Sequence, residues 1–510
     1  MLSIFKTTSY KAGAALAVVA TGFWKLASLA SSILVALYFG ASADTDVYFY
    51  LLMLIGFGIT FMLKLNGSVL IPEAMFLAEE NEQTSRRFLT MIFYFYVLLA
   101  LGLCVLGLLF PVGLVGAFSR FDPALLKSEQ FLICAAFFLF ATHMIYYYLL
   151  AVAEMHKFFA TSLLGPLNAI FPLISLLLLG KTVGIICMIY GFLAANILQI
   201  GLLMWLMHKH LHWDFTPRPC SIHPRAQKNM ITGQTLAIID IINNLLPVFL
   251  ISGMGYGIVS ALSYCKQLSD SPTEIITIRV ANVSKIELTE NASKGQVNVF
   301  NKNFLSTNHL LLFLLTPVAV FSSYFALDIV GLFFERGAFN LQDAQNTVRF
   351  LRPMIFMLIL LVPAYLQNNT IAAWLKMKES FPYAIVSSLA LTGAVWFLLP
   401  KWGAFSYPYI LLASTIFGFL LNYFLFRKHF PFVNYFRSFW ELLRLLAINI
   451  ISLVPAAILR ILLPEMNYFW TLLFCGSLYM TVLLLISYKS RDLELFLKST
   501  EISKIAKNLF

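Results

Sequence analysis

Long apolar stretches without a single charge recur along this chain and dictate what it can become. Met91–Phe110 is twenty residues with no charged side chain, and Leu310–Phe325 is equally unbroken. About 20 such residues span a bilayer's hydrocarbon core as a helix. Spanning β-strands instead alternate apolar and polar residues over segments of about ten, and these runs do not alternate. The composition agrees: 60% of the 510 residues are hydrophobic and 12% are charged, whereas a soluble domain carries about 25% charged residues. A water-soluble globule, a disordered chain and a β-barrel are all excluded. The expected class is an all-α polytopic membrane protein.

Fourteen spans are predicted, at about 13–39, 47–72, 88–110, 129–150, 159–180, 184–207, 230–252, 257–281, 305–326, 344–370, 382–400, 405–426, 441–463 and 466–488. The apolar run from Ala12 to Phe39, crossed by one lysine, is long enough to span and is not read as a cleavable signal. No connection is long enough for a catalytic or nucleic-acid-binding domain. The net charge of +11 is therefore read as topological and not as a nucleic-acid footprint. With both termini cytoplasmic, the inner loops gather lysines and arginines such as Lys6, Lys11, Arg86, Arg87, Lys157 and Lys209. The outer loops hold few, such as Arg120, Lys181 and Arg336, as the positive-inside bias requires. The six cysteines are scattered with no CxxC pair, so neither a metal site nor a disulfide framework is expected. His208, His210, His212 and His223 are read as part of a solvated loop.

A faint internal repeat is present. Gly40 closes the first span and the second ends in Val69-Leu-Ile-Pro-Glu73; Gly253 closes the seventh and the eighth ends in Asn282-Val-Ser-Lys-Ile-Glu287. Two six-helix lobes around a central cavity, plus two C-terminal helices, would explain it. The expected division is 1–207 for the N-lobe, 208–229 for a cytoplasmic linker, 230–427 for the C-lobe, and 428–510 for the last two helices and a tail.

Charges at bilayer depth are the informative residues, because each costs several kcal/mol unless solvated or paired. Lys25 lies mid-helix with Thr21, Ser28 and Ser32 on its face. A hydrated cavity, an anionic ligand or an acid on another helix would each explain it. Lys64 and Arg279 sit in the second helix of each repeat. Lys266, Asp270 and Glu274 are spaced by four and form one polar stripe, either facing a cavity or self-neutralised, and Pro272 is expected to open that helix's ladder. Asp240, followed by Asn243, Asn244 and Pro247, would bind a coupling cation or pair with a lysine. His143 beside Tyr146-Tyr147-Tyr148 is read as packing. No Walker A loop, HExxH or GxSxG appears, so the chain is read as a transporter and not an enzyme.

Three segments then resemble one family. Leu37-Tyr-Phe-Gly-Ala-Ser-Ala-Asp-Thr-Asp46-Val-Tyr-Phe is similar to the first-hairpin signature of MurJ/MviN-type flippases, Val259–Tyr264 with Leu268 and Pro272 to their eighth helix, and Ile329-Val-Gly-Leu-Phe-Phe-Glu-Arg-Gly-Ala-Phe339 to their LLFERGAF stretch. The resemblance places the chain in the multidrug/oligosaccharidyl-lipid/polysaccharide exporter superfamily. It implies alternating-access movement of a polyprenyl-diphosphate-linked saccharide, either lipid II or a surface or exopolysaccharide unit, from the inner to the outer leaflet. It implies a bacterial inner-membrane location, a cationic cavity, and arginines of the first, second and eighth helices on the diphosphate. Here Lys25 and Ser31, Lys64, and Lys266 with Gln267 stand in those regions, so charge is kept while arginine's bidentate fork is lost. The substrate-binding candidates are Lys25, Ser28, Asp46, Lys64, Lys266 and Arg279. Asp240 is the coupling-ion candidate for Na+ or H+, with Ser387 and Ser388 offered by the eleventh helix. No other cofactor and no structural metal is expected. The partners are the lipid-linked saccharide and the bilayer, not nucleic acid; the protein is read as a monomer in contact with envelope-biosynthesis enzymes. The alternative is a cation-coupled drug or metabolite exporter of the same superfamily.

Overall fold

The computed structural model describes residues 10–211, 213–216, 224–490 and 492–499. Among them every long element is helical and no strand occurs. In order these are α1 (Tyr10–Phe39), α2 (Ala43–Leu65), α3 (Ile71–Glu80), α4 (Glu82–Leu109), α5 (Pro111–Phe118), α6 (Pro123–Ser128), α7 (Gln130–Met155), α8 (Leu167–Val183), α9 (Ile186–Leu211) and α10 (Pro224–Ile251). There follow α11 (Ile258–Pro272), α12 (Ile278–Ser293), α13 (Val297–Tyr324), α14 (Ala326–Phe334), α15 (Leu341–Ala373), α16 (Met377–Trp402), α17 (Tyr407–His429), α18 (Tyr435–Leu462), α19 (Tyr468–Lys489) and α20 (Asp492–Ser499). Helix is the only open form in which a lipid-embedded segment satisfies its own backbone polar groups, which is why long apolar runs become helices.

The described residues include eleven helices long and apolar enough to cross a membrane, and two shorter apolar ones, Leu167–Val183 and Ile238–Ile251. The expected count of fourteen is not reproduced. The predicted span 159–180 opens as a tight 3-10 segment, Phe159–Leu164, before α8 begins. The predicted span 257–281 is α11, then a π-helical turn Thr273–Thr277, then the start of α12; its four charged residues remove it from the apolar set. The ladder opens directly after Pro272, as the lost N–H requires. A second π turn, Asn66–Leu70, separates α2 from α3, so the second helix of each half of the sequence repeat is broken in the same manner. Tyr96 donates its hydroxyl to Asn66 Oδ1 at 2.9 Å and fixes the first of these turns.

The chain divides into two compact units, Met1–Ser260 with Gly337–Phe339, and Ala261–Arg336 with Asn340–Phe510. Helix α10 packs on α2 within the first of these units. In the first unit the core lies among α4, α7 and α9. Tyr96 stacks on Tyr148 at 4.9 Å, and Tyr148 donates to the Leu89 carbonyl at 2.6 Å. His143 is buried there, with Nδ1 3.0 Å from the Leu139 carbonyl and 2.8 Å from Asn196 Nδ2, its ring stacked on Tyr147. In the second unit α18 and α19 form a hairpin docked on α13 and α14. Tyr479 stacks on Phe321 and donates to Asn449 Oδ1. Arg460 pairs with Asp328 at 2.9 Å, and Tyr468 donates to Glu335 Oε2 at 2.8 Å. Glu441 meets His309 Nδ1 at 2.7 Å, and Asp492 at the start of α20 pairs with Arg444.

The Glu335–Phe339 stretch owes its glycine to close approach. Ala338 N donates to the Leu37 carbonyl at 2.9 Å, where α1 ends. Gly337 has φ +62°, and a Cβ there would sit 2.3 Å from the same carbonyl oxygen. A left-handed conformation and a backbone contact together leave only hydrogen at this position. Gly337→Ala should cost about 1–3 kcal/mol and lower the thermal midpoint of the detergent-solubilised protein by several degrees; an unchanged midpoint would refute the backbone contact.

Candidate functional site

Asp46 was expected to touch substrate and is instead consumed by the protein. Ser42 caps α2 in a reciprocal pair with Thr45, whose Oγ1 accepts from Ser42 N at 2.7 Å. This sets Asp46 in the first turn of α2, fully buried. Its carboxylate accepts from Gly257 N at 2.6 Å and from Ser260 N and Ser260 Oγ, both at 2.7 Å. Two of those donors are backbone amides at the start of α11, and a carboxylate at a helix N-terminus also meets the positive end of its dipole. Asp46 caps α11, and its carboxylate oxygens are engaged by these protein donors.

Lys64 and Asp240, expected as separate elements, are one ion pair. Lys64 Nζ lies 2.5 Å from Asp240 Oδ2, joining α2 to α10. The two side chains are 43% and 58% exposed, so the pair faces out of the first unit instead of being locked in its core. Asn244 holds the same turn of α10 by donating to the Asp240 carbonyl at 2.7 Å. Of the two readings of Asp240, pairing with a lysine is the one this geometry realises. An exposed pair exchanges partners far more readily than a buried one, since neither charge has lost all its solvation.

Lys25 stands in mid-α1, partly exposed, with its ammonium 4.7 Å from the Trp24 ring centroid. Thr21 and Ser28 lie one turn to either side, and Ser32 Oγ donates to the Ser28 carbonyl at 3.1 Å. Ser31 lies on another face, buried, 3.4 Å from the Ala169 carbonyl of α8. Helix α1 therefore turns one small polar face to its neighbour and carries Lys25 off that contact.

In the second unit Lys266 and Asp270 lie on α11 and Glu274 in the π turn that follows it. Lys266 and Asp270 are one turn apart and within electrostatic reach of each other, and Ser269 Oγ lies 3.2 Å from Asp270 Oδ1. Tyr365 of α15 and Tyr407 of α17 both lie within reach of the Asp270 charge. Lys266 and Glu274 are partly exposed and Asp270 is exposed. Arg279 lies in the first turn of α12, and its side chain lies outside the described residues.

Sequence reading missed a polar network in this unit. Gln367 of α15 donates to the Tyr435 hydroxyl and accepts from Asn422 Nδ2 at 2.6 Å. The signal was available: Gln367-Asn-Asn-Thr370 is a run of four polar residues inside a predicted span.

Comparison with known proteins follows the same lines. The family model described as "Lipid II flippase MurJ" matches residues 35–483. A solved structure of lipid II flippase MurJ in an inward closed conformation aligns with a TM-score of 0.75 at 22% identity, covering 94% of this chain and 99% of that one. An inward-facing multidrug resistance MATE family transporter of the MOP superfamily aligns at 0.60 with 12% identity, over 83% of this chain and 97% of that one. A MOP superfamily transporter from Pyrococcus furiosus, described by the reverse polarity of its binding pocket, aligns at 0.53 with 10% identity, over 85% and 94% of the two chains. These likenesses speak to fold. None of the curated proteins compared with the chain matches it significantly. The family match spans most of the chain and contains all three of the recognised segments: this protein belongs to the MurJ lipid II flippase family.

Proposed function

We propose that this protein moves a polyprenyl-diphosphate-linked saccharide from the inner to the outer leaflet of the bacterial inner membrane, with both termini cytoplasmic. Family membership supports the substrate class. The observation that carries the reading at the level of residues is Lys25, a cation in the middle of a spanning helix, partly exposed and flanked by small hydroxyl side chains. An ammonium there suits a diphosphate, which is doubly anionic and accepts several hydrogen bonds. Lysine binds phosphate as a point charge without the fixed fork of arginine, and moderate affinity favours release on the far side.

In this account Lys25 and Lys266 screen the diphosphate, while the saccharide stays hydrated and the tail stays outside the cavity, on the membrane side. Arg279 is a further candidate by sequence position. The Lys64–Asp240 pair acts as an exchangeable lock: the diphosphate competes for Lys64, and Na+ or H+ competes for Asp240. That exchange would link cation movement to the substrate cycle, and each elementary charge carried across the membrane is worth about 2.3 kcal/mol per 100 mV. The protein works by alternating access, with lobes at 1–207 and 230–427. The alternative, a cation-coupled exporter of drugs or metabolites, needs an uncompensated acid for a cationic cargo. It is disfavoured because Asp240 is held by Lys64.

Depletion in the native cell should cause a lipid-linked saccharide to accumulate in the inner leaflet. Mass spectrometry of the carrier lipids names it: lipid II selects peptidoglycan synthesis, and an oligosaccharide carrier with normal lipid II selects surface-polysaccharide export. Accumulation of neither contradicts the flippase reading. Lys25→Ala should reduce flipping in proteoliposomes at least about tenfold, the equivalent of 1.4 kcal/mol of lost charge-assisted contact, with expression intact; full activity would remove Lys25 from the mechanism. In a double-mutant cycle, Lys64→Ala should lower activity more than Lys64→Ala combined with Asp240→Ala, since the single change strands the Asp240 carboxylate without its lysine. Strict additivity would show that the pair is not a functional unit.

A further inference from the structure

The first unit contains an elongated apolar groove of about 540 Å³ that the mechanism above leaves unused. Every residue lining it is apolar, so water finds no hydrogen-bonding partner in it. It follows α2 from Leu51 to Phe61, about 15 Å at the helical rise of 1.5 Å per residue. The far wall is Ile238 and Ile242 of α10, and the floor includes Phe140 of α7. Gly58 makes the groove's depth possible: a Cβ there would lie 2.3 Å from Phe140 Cζ, so the phenyl ring lies directly over the bare backbone. The rim residues Leu106, Phe118, Ile238 and Ile242 are all exposed, so the groove opens at the surface of membrane-spanning helices.

One end of this groove is charged. Phe61, its last contact on α2, is one turn from Lys64, and Ile241, which lines it on α10, follows Asp240 directly. Hydrocarbon length ending at an exposed ion pair whose lysine can exchange its carboxylate for a phosphate is the complement of an anionic lipid. On the topology proposed above, the charged end faces the cytoplasmic leaflet, where a carrier lipid's diphosphate lies before it is moved. We propose that this groove seats the isoprenoid tail of the lipid-linked saccharide, with Lys64 meeting the diphosphate as it displaces Asp240. The proposal rests on the flippase reading and adds to it a tail site on the first unit. Specificity follows from the lining: the groove is walled by branched and aromatic side chains, which suit a methyl-branched chain better than a straight acyl chain.

Photocrosslinking of the full-length protein in lipid nanodiscs tests this. The probe is a polyprenyl diphosphate carrying a diazirine on its tail, with a diazirine-bearing phosphatidylethanolamine as comparison. The polyprenyl probe should label peptides containing Phe140 and Ile242, and excess unlabelled polyprenyl diphosphate should reduce that labelling at least fivefold, while excess phospholipid leaves it in place. Ile242→Trp, which fills the groove from its exposed rim, should reduce labelling by the same factor, with the elution volume and thermal midpoint unchanged. Gly58→Leu should do so by displacing Phe140. Equal labelling by both probes would make the groove an ordinary bilayer-lipid contact and overturn the proposal. Absence of labelling in a wild-type protein that still flips its substrate would overturn it while leaving the flippase reading intact. A wild-type protein that neither binds the probe at any position nor flips would overturn the flippase reading itself.

Discussion

A charge inside a bilayer has no water to fall back on, and the arrangement of this protein is a set of answers to that constraint. Backbone groups answer it by forming helices. Side chains answer it individually, and the answers differ. Asp46 is buried and receives three protein hydrogen bonds at the start of α11. Asp240 is exposed and paired to Lys64. Lys25 stands in mid-span, over the edge of its own helix, against Trp24. The first is architecture; the second and third retain enough exposure to exchange partners, which a transporter requires and a scaffold does not.

Two acidic residues of similar sequence character therefore take opposite roles. Asp46 follows a capping serine and threonine, so it enters the first turn of α2 and turns toward the next free helix terminus. Asp240 lies deep in α10, where no helix terminus is available and a long lysine can reach it across from α2. The Glu335–Phe339 segment makes the same point for backbone. Its glycine is required by the Leu37 carbonyl, and its glutamate accepts from Tyr468. The residues that make the family recognisable are here largely joints between helices, and the residues that would touch substrate are the ones that depart from the family pattern.

Much of the fold was legible in advance. The length and apolarity of the spans, the opening of the helix after Pro272, and Lys25 as a mid-span cation all follow from local sequence. Among the described residues eleven of the fourteen are reproduced: α8 is shortened by the 3-10 turn before it, the apolar part of α10 counted there is only Ile238–Ile251, and α11–α12 is polar and broken at Thr273. Partners were the harder matter. Lys64 and Asp240 are 176 residues apart, and their meeting depends on α10 packing against α2, which periodicity cannot specify. The Gln367–Tyr435–Asn422 network was visible as an anomalous polar run but not as a network, for the same reason. The apolar groove was invisible, since its leucines and isoleucines look like any other lipid-facing residues until Gly58 and Phe140 are set opposite one another.

The central claim is that cations at bilayer depth exist to hold a phosphate-bearing lipid head. Native mass spectrometry of the protein released from nanodiscs containing equal amounts of polyprenyl diphosphate and uncharged polyprenol tests it most directly. The account predicts preferential retention of the diphosphate, lost when Lys25 and Lys266 are both replaced by glutamine. Equal retention of the two lipids by the unaltered protein would contradict it.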